Sequence, residues 1–344
     1  MTIKHRVGLA LLAAVCSLPA LNACSSDEIE APPAPVEGEL TLDASTAWAY
    51  VSLADGEAVT VGNPALEPGW DIGFNATRVM LNGGAAGPGG VAGHCLCQNA
   101  AASDAQIVAF TPTGELPAFE AVTSADIPDD SEFEPDLLVP AVRNWYTGTG
   151  ATAVAAPENT WLVRLQDGTS FAKLHVTALT APTAEHAGQV TFEYAVQPAA
   201  DQGFQPTQTV TLDASSPASV DLNTGSTAPA EGAWDLALEG FTIRLNGGVS
   251  GSGTAAAAVA TEEFSSVTTA STDPRAYLQD NFGGVFNSHP WYRYNLTGEN
   301  IIHPTFDVYL IKRGADVYKV QLINYYGTAG EPRHITFRYA QLTD

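Results

Sequence analysis

Four segments of this sequence occur twice, in the same order. TLDAS appears at Thr41 and Thr211, WDIGFNATRVMLNGG from Trp70 returns as WDLALEGFTIRLNGG from Trp234, a Trp-Tyr pair lies at Trp145 and Trp291, and VTFEYA from Val190 is echoed by ITFRYA from Ile335. The offsets of 170, 164, 146 and 145 residues drift, so insertions and deletions have changed the spacing without disturbing the order. A chain built this way is a tandem duplication, and any fold open to one copy must also be open to the other. The polar stretch QPAADQGFQPTQ, at 197–208, is the expected boundary, giving one domain over 39–199 and a second over 208–344.

Each copy reads as β structure. In VTFEYAV, Val190, Phe192, Tyr194 and Val196 share one face, and an alternation of period two rich in β-branched and aromatic residues is the signal of a half-buried strand. DVYLIKRGADVYKVQLINYY predicts a hairpin turning at RGAD, and WLVRLQDGTSFAKLHV is its counterpart in the first copy. No long window sustains a helical period, so helices should be short and few. The expected class is all-β: two tandem antiparallel domains. The Gly-rich loops after each LNGG suit tight turns or close backbone approach. Neither carries the lysine of a phosphate-binding loop or opens a βαβ unit.

The N-terminus has the layout of an export signal over 1–23: the basic MTIKHR, an apolar run, then Leu21-Asn22-Ala23-Cys24. This last form resembles the lipobox of bacterial lipoproteins, which implies lipidation of Cys24. The segment 24–38 then reads as a Pro-rich tether. No later apolar stretch approaches the length of a membrane-spanning helix. Removal of residues 1–23 takes away Lys4 and Arg6, leaving 12 basic against 38 acidic residues and a formal charge of −26. Such a surface repels nucleic acid and anionic lipid.

The ordered set of lipobox, TLDAS, WD…LNGG with its Gly-rich loop, Trp-Tyr, closing hairpin and ITFRYA resembles the HmuY family of haem-binding bacterial lipoproteins, over both copies. The resemblance implies an all-β protein at the outer membrane or cell surface that captures haem for uptake, passes it to a TonB-dependent receptor, and catalyses no reaction. It also implies an iron-ligating histidine five residues after the tryptophan that precedes the final hairpin. Those positions here are Gly150 and Leu296, and no histidine of this chain corresponds to the family's second ligand.

Candidate haem or metal ligands must therefore come from the residues themselves. His94, Cys95 and Cys97 in GHCLCQ form the densest group of donors; they suit zinc, copper or haem iron, and the two thiols could instead pair with each other or with a partner chain. His289 and His303 are the second pair. A turn at Thr297–Asn300 sets Tyr294 against His303 and leaves His289 five residues further along, roughly 17 Å away at about 3.4 Å per residue. Trp291, Tyr292, Tyr294 and Phe286 are the expected walls of an apolar pocket. Met80 reads as a packed strand residue, His175, His186 and His334 as single imidazoles, and DIPDDSEFEPD as a solvated loop without the spacing of a calcium site. Neither G-x-S-x-G nor H-E-x-x-H occurs. Two functions stand open: haem capture, or a surface structural or interaction module that keeps the fold without the ligand.

Overall fold

The computed structural model describes residues 37–181, 188–214 and 217–343. The export signal, Cys24 and most of the tether, up to residue 36, lie outside them, as does His186; the last two tether residues, Glu37 and Gly38, open β1. Two five-stranded antiparallel sheets organise the chain, and their strands in chain order are β1 (Glu37–Asp43), β2 (Val91–Cys95), β3 (Trp161–Arg164), β4 (Phe171–Thr180), β5 (Gln189–Gln197), β6 (Gln208–Asp213), β7 (Ala256–Val259), β8 (Val308–Arg313), β9 (Asp316–Tyr326) and β10 (Pro332–Gln341). The first sheet has the order β1-β10-β9-β8-β2 and the second β6-β5-β4-β3-β7. The two predicted hairpins are β8–β9 and β3–β4.

Each sheet takes half of each sequence copy. The three C-terminal strands of the second copy are flanked by β1 and β2 of the first, and the three C-terminal strands of the first copy are flanked by β6 and β7 of the second. The cores divide the same way. One joins Leu42, Ile72, Phe74 and Leu81 to Trp291, Tyr309, Val320 and Phe337; the other joins Trp145, Trp161, Val176 and Phe192 to Leu212, Leu236 and Leu245. Phe74 stacks on Phe337 at 5.4 Å across the copies, a contact worth about 0.5–1.5 kcal/mol beyond its buried area.

The expected domains, 39–199 and 208–344, follow the sequence repeat, whereas the sheets and cores group 37–136 with 281–343, and 139–280. Chain order explains this. The polar stretch at 197–208 connects β5 to its direct neighbour β6 in one sheet, and Gln197 in it is fully buried, its amide accepting the Ala270 N–H at 2.8 Å. The chain passes between the two units at Leu137–Val139 and Asn281–Gly283. These two passages pair with each other as antiparallel strands, Phe282 opposite Leu138.

Helices are short, as expected: Asp104–Ala109, Leu116–Glu120 and Val285–Ser288 are the α-helices among the described residues. None is long and apolar enough to cross a membrane.

Candidate functional site

The repeated WD…LNGG segment is a scaffold in both units. Asn82 sits at its centre, its amide donating to the carbonyls of Trp70 at 2.8 Å and Glu67 at 3.0 Å while its oxygen accepts from Gly89 N–H at 2.9 Å. Asn246 repeats the pattern with Trp234, Gly232 and Gly253. Asp71 accepts from the Leu53 N–H at 2.7 Å and from Arg313 at 2.9 Å, and Asp235 from Leu222 and Gln166, both at 2.8 Å. Burial raises the Asp71 carboxyl and pushes Asp235 up to about 6. Gly84 and Gly248 have positive φ, and a Cβ there would stand 2.1 Å from the carbonyl oxygens of Asp136 and Asp280. Apart from the Asp71–Arg313 pair, these side chains spend their hydrogen bonds on the backbone, so the repeated segment serves as a scaffold in both copies.

The GHCLCQ group separates. Strand β2 alternates, so Cys95 faces the main core while His94 faces the other way, its ring 6.0 Å from Phe133 and its Nδ1 3.2 Å from the Glu132 carbonyl. Cys95 and Cys97 form a disulfide. The third donor beside them is His289: one ligand atom from each of the three lies within 4.8 Å of the others, the one such group among the described residues.

His303 takes a different position from the expected one. The loop opens with Asn295, whose N–H donates to the Ile301 carbonyl at 2.8 Å, while its side chain accepts from Asn300 N–H at 2.8 Å. With Asn295, Gly298 and Asn300 all at positive φ, the loop holds one residue more than a four-residue turn. His303 consequently pairs with Arg293 rather than Tyr294, and its Nε2 is buried without a hydrogen-bond partner among the described residues. It shares no ligand group with His289. Met80 packs against Trp70, Tyr50 and Ala86. His175 stacks on Phe264 at 4.2 Å, and His334 lies 3.9 Å from Asp43. In the acidic run, Asp136 is buried and bonded to the backbone, so the run is partly structural.

A cleft of about 710 Å³ opens beside the Tyr292–Tyr294 hairpin. Its aromatic lining is Tyr292, Tyr294, Tyr325 and Tyr326, with Ile301, Ile302, Glu299 and Arg333 around them. Trp291 and Phe286, expected as walls, are core residues instead, and the Trp291 indole donates to the Thr77 carbonyl at 3.0 Å. Tyr325 and Tyr326 escaped the sequence reading, although their place at the end of the closing hairpin could have marked them. Tyr294 donates to Asn300 at 2.8 Å, and Tyr326 accepts from Ile302 N–H at 3.0 Å. Burial raises the Tyr325 phenol above its ordinary value, while the hydrogen bond and charge of Arg333 act the other way. The strong iron donors lining this cleft are phenol and carboxylate oxygens. Apolar aromatic faces fit a flat macrocycle, and a tyrosine oxygen is an established haem-iron ligand, but the imidazole that the sequence resemblance implies is absent from the lining.

The family model described as HmuY protein matches residues 44–194 and 213–339. The chain belongs to the HmuY family. The HmuY family is a family of binding proteins associated with haem, and the two matches follow the sequence repeat rather than the packing units. Among solved structures, the chain is similar to the apo HmuY analog of Tannerella forsythia, at 10% identity and a TM-score of 0.36, covering 90% of this chain and 98% of that one. A candidate HmuY-like heme-binding protein from Bacteroides vulgatus gives 12% identity and 0.36, covering 90% and 94%. A candidate lipoprotein from Bacteroides fragilis gives 18% identity and 0.17, covering 46% and 90%. Among curated proteins, none matches.

Proposed function

We propose that this HmuY-family protein is a lipid-anchored surface protein that captures haem or a related tetrapyrrole in the tyrosine-lined cleft. The observation that carries the reading is the lining itself: four tyrosines converge on about 710 Å³ of open space, within the roughly 300–1,000 Å³ typical of small-molecule sites. The flat faces of Tyr292 and Tyr326 would pack on the macrocycle, Arg333 would meet its carboxylates, and a phenol oxygen would supply the iron contact. Cys24 would carry the lipid, and a TonB-dependent outer-membrane receptor would take the cargo. The second unit has Trp145 and Tyr146 packed against Phe241 at 6.3 and 5.2 Å, so an aromatic side chain fills the space beside its Trp-Tyr pair and its role is structural.

A haemin titration of residues 25–344, followed by the Soret band, tests this. Saturable one-to-one binding is expected, retained in His94→Ala and in the His289→Ala, His303→Ala double variant and weakened at least tenfold by Tyr294→Phe with Tyr325→Phe. A flat response in the wild type would retire the haem reading and leave the surface interaction module in its place.

A further inference from the structure

We propose that Cys95, Cys97 and His289 form a redox-gated site for a zinc-like divalent cation, closed while the disulfide is intact and opened by a dithiol reductant. This does not rest on the haem reading. Thiolate and imidazole are the donors that zinc prefers, and three protein ligands with a fourth position open to water form a recognised zinc arrangement. Two sulfurs bound at about 2.3 Å in tetrahedral geometry stand roughly 3.8 Å apart. The three donor atoms already lie within 4.8 Å of one another, so small side-chain rotations suffice once the sulfurs are free.

The backbone holds the donors in place without help from the sulfur–sulfur bond. Leu96 N–H donates to the Val308 carbonyl at 2.9 Å, the Gln98 side chain accepts from Val308 N–H at 3.0 Å, and Asn99 donates to Asp307 at 2.8 Å and to the Thr305 carbonyl at 2.9 Å. His289 is fixed by its own N–H on the Val285 carbonyl at 2.8 Å and by Tyr309, whose hydroxyl donates to its carbonyl at 2.8 Å. Its ring is exposed, and Cys97 is half-buried on a cleft of about 260 Å³ that His289 also lines. Asp307 shares this cleft, and the one cation there, Arg293, is paired with Asp104 at 2.8 Å. The strongly acidic surface draws cations toward such an opening.

The chemistry balances. A dithiol delivers two electrons and two protons to the disulfide, yielding two cysteine thiols while its own sulfurs become a disulfide. The cation then displaces both thiol protons to solvent and forms two metal–sulfur bonds and one to the imidazole nitrogen, and two thiolates neutralise its charge. The site is single. By the repeat, the corresponding residues of the other unit are Val259, Thr261 and Arg143, none of which is a zinc ligand.

The test uses residues 25–344, reduced with a dithiol, desalted anaerobically and titrated with Co²⁺ without haemin. One equivalent should bind with a thiolate-to-cobalt charge-transfer band that Zn²⁺ abolishes, and the oxidised protein should show none. His289→Asn should weaken Co²⁺ binding at least tenfold, whereas His94→Ala should leave it unchanged. A reduced, folded protein with no such band would overturn the proposal, as would a band indifferent to His289→Asn. Loss of the far-ultraviolet circular dichroism on reduction would also overturn it, because the hydrogen bonds would then not hold the loop alone.

Discussion

Asp136 and Asp280 stand 144 residues apart and hold equivalent strands: the buried carboxylate of the first accepts the Leu81 N–H at 2.9 Å, and that of the second accepts the Leu245 N–H at 2.9 Å. Each sits at a passage between the two packing units, so the repeat is fastened where its halves part company.

Asp136 should make stability pH-dependent. Its carboxyl is pushed up to about 7, chiefly by burial and against the hydrogen bond from Leu81. Folding therefore favours the protonated form, and its contribution is full below the ordinary carboxylate range and lost as pH rises from about 4 through about 7. Asp136→Asn keeps an acceptor and removes the titration. Thermal unfolding should show the variant gaining on the wild type by several degrees between pH 4 and pH 8; parallel curves would remove Asp136 as the cause.

The two asparagine hubs should be equally costly to remove. Asn82→Ala and Asn246→Ala each leave two backbone carbonyls and one N–H without their partner, at about 1–3 kcal/mol per buried group. Denaturant titration should place both variants about 3 kcal/mol or more below the wild type. A large difference between them would mean that the two loops are not mechanically equivalent.

Fragments should fold by packing unit rather than by sequence copy. Residues 139–280 contain a whole sheet and its core, so this fragment should be a cooperative monomer. Residues 39–199 contain half of each core and should be unfolded or associate by exchanging strands. Amide dispersion in NMR spectra and sedimentation of the two fragments would decide.

Leu296→His would restore an imidazole at the position implied by the family pattern, on the loop whose Glu299 and Asn300 line the tyrosine cleft. Haemin affinity should rise at least tenfold, with a Soret band moved to that of imidazole ligation. An unchanged spectrum would argue that haem, if bound, lies away from this loop.

Much of the architecture was legible because period-two alternation records burial directly: Val190, Phe192 and Tyr194 point inward as read. The partnership of strands was not, since β5 carries the same alternation whether β6 belongs to its own sheet or to the next domain. At the site, Cys95 and Cys97 were visible as a pair, but His94 was the wrong neighbour because adjacent strand residues face opposite ways. His289 enters from 192 residues downstream of Cys97, a contact created by the exchange of halves. His303 moved by one register step because Asn295 could supply a left-handed turn residue, which spacing alone does not reveal.

The exchange of halves also changes what the loss of one copy would do to the protein. In an ordinary tandem array, recombination between the copies can delete one and leave a working protein. Here such a deletion would remove two outer strands from one sheet and three contiguous strands from the other, so the remaining copy would have to close one sheet from its own five strands. Once the halves had interlocked, selection could vary each copy's loops independently, as the disulfide beside His289 illustrates, while both sheets kept the two copies bound to each other.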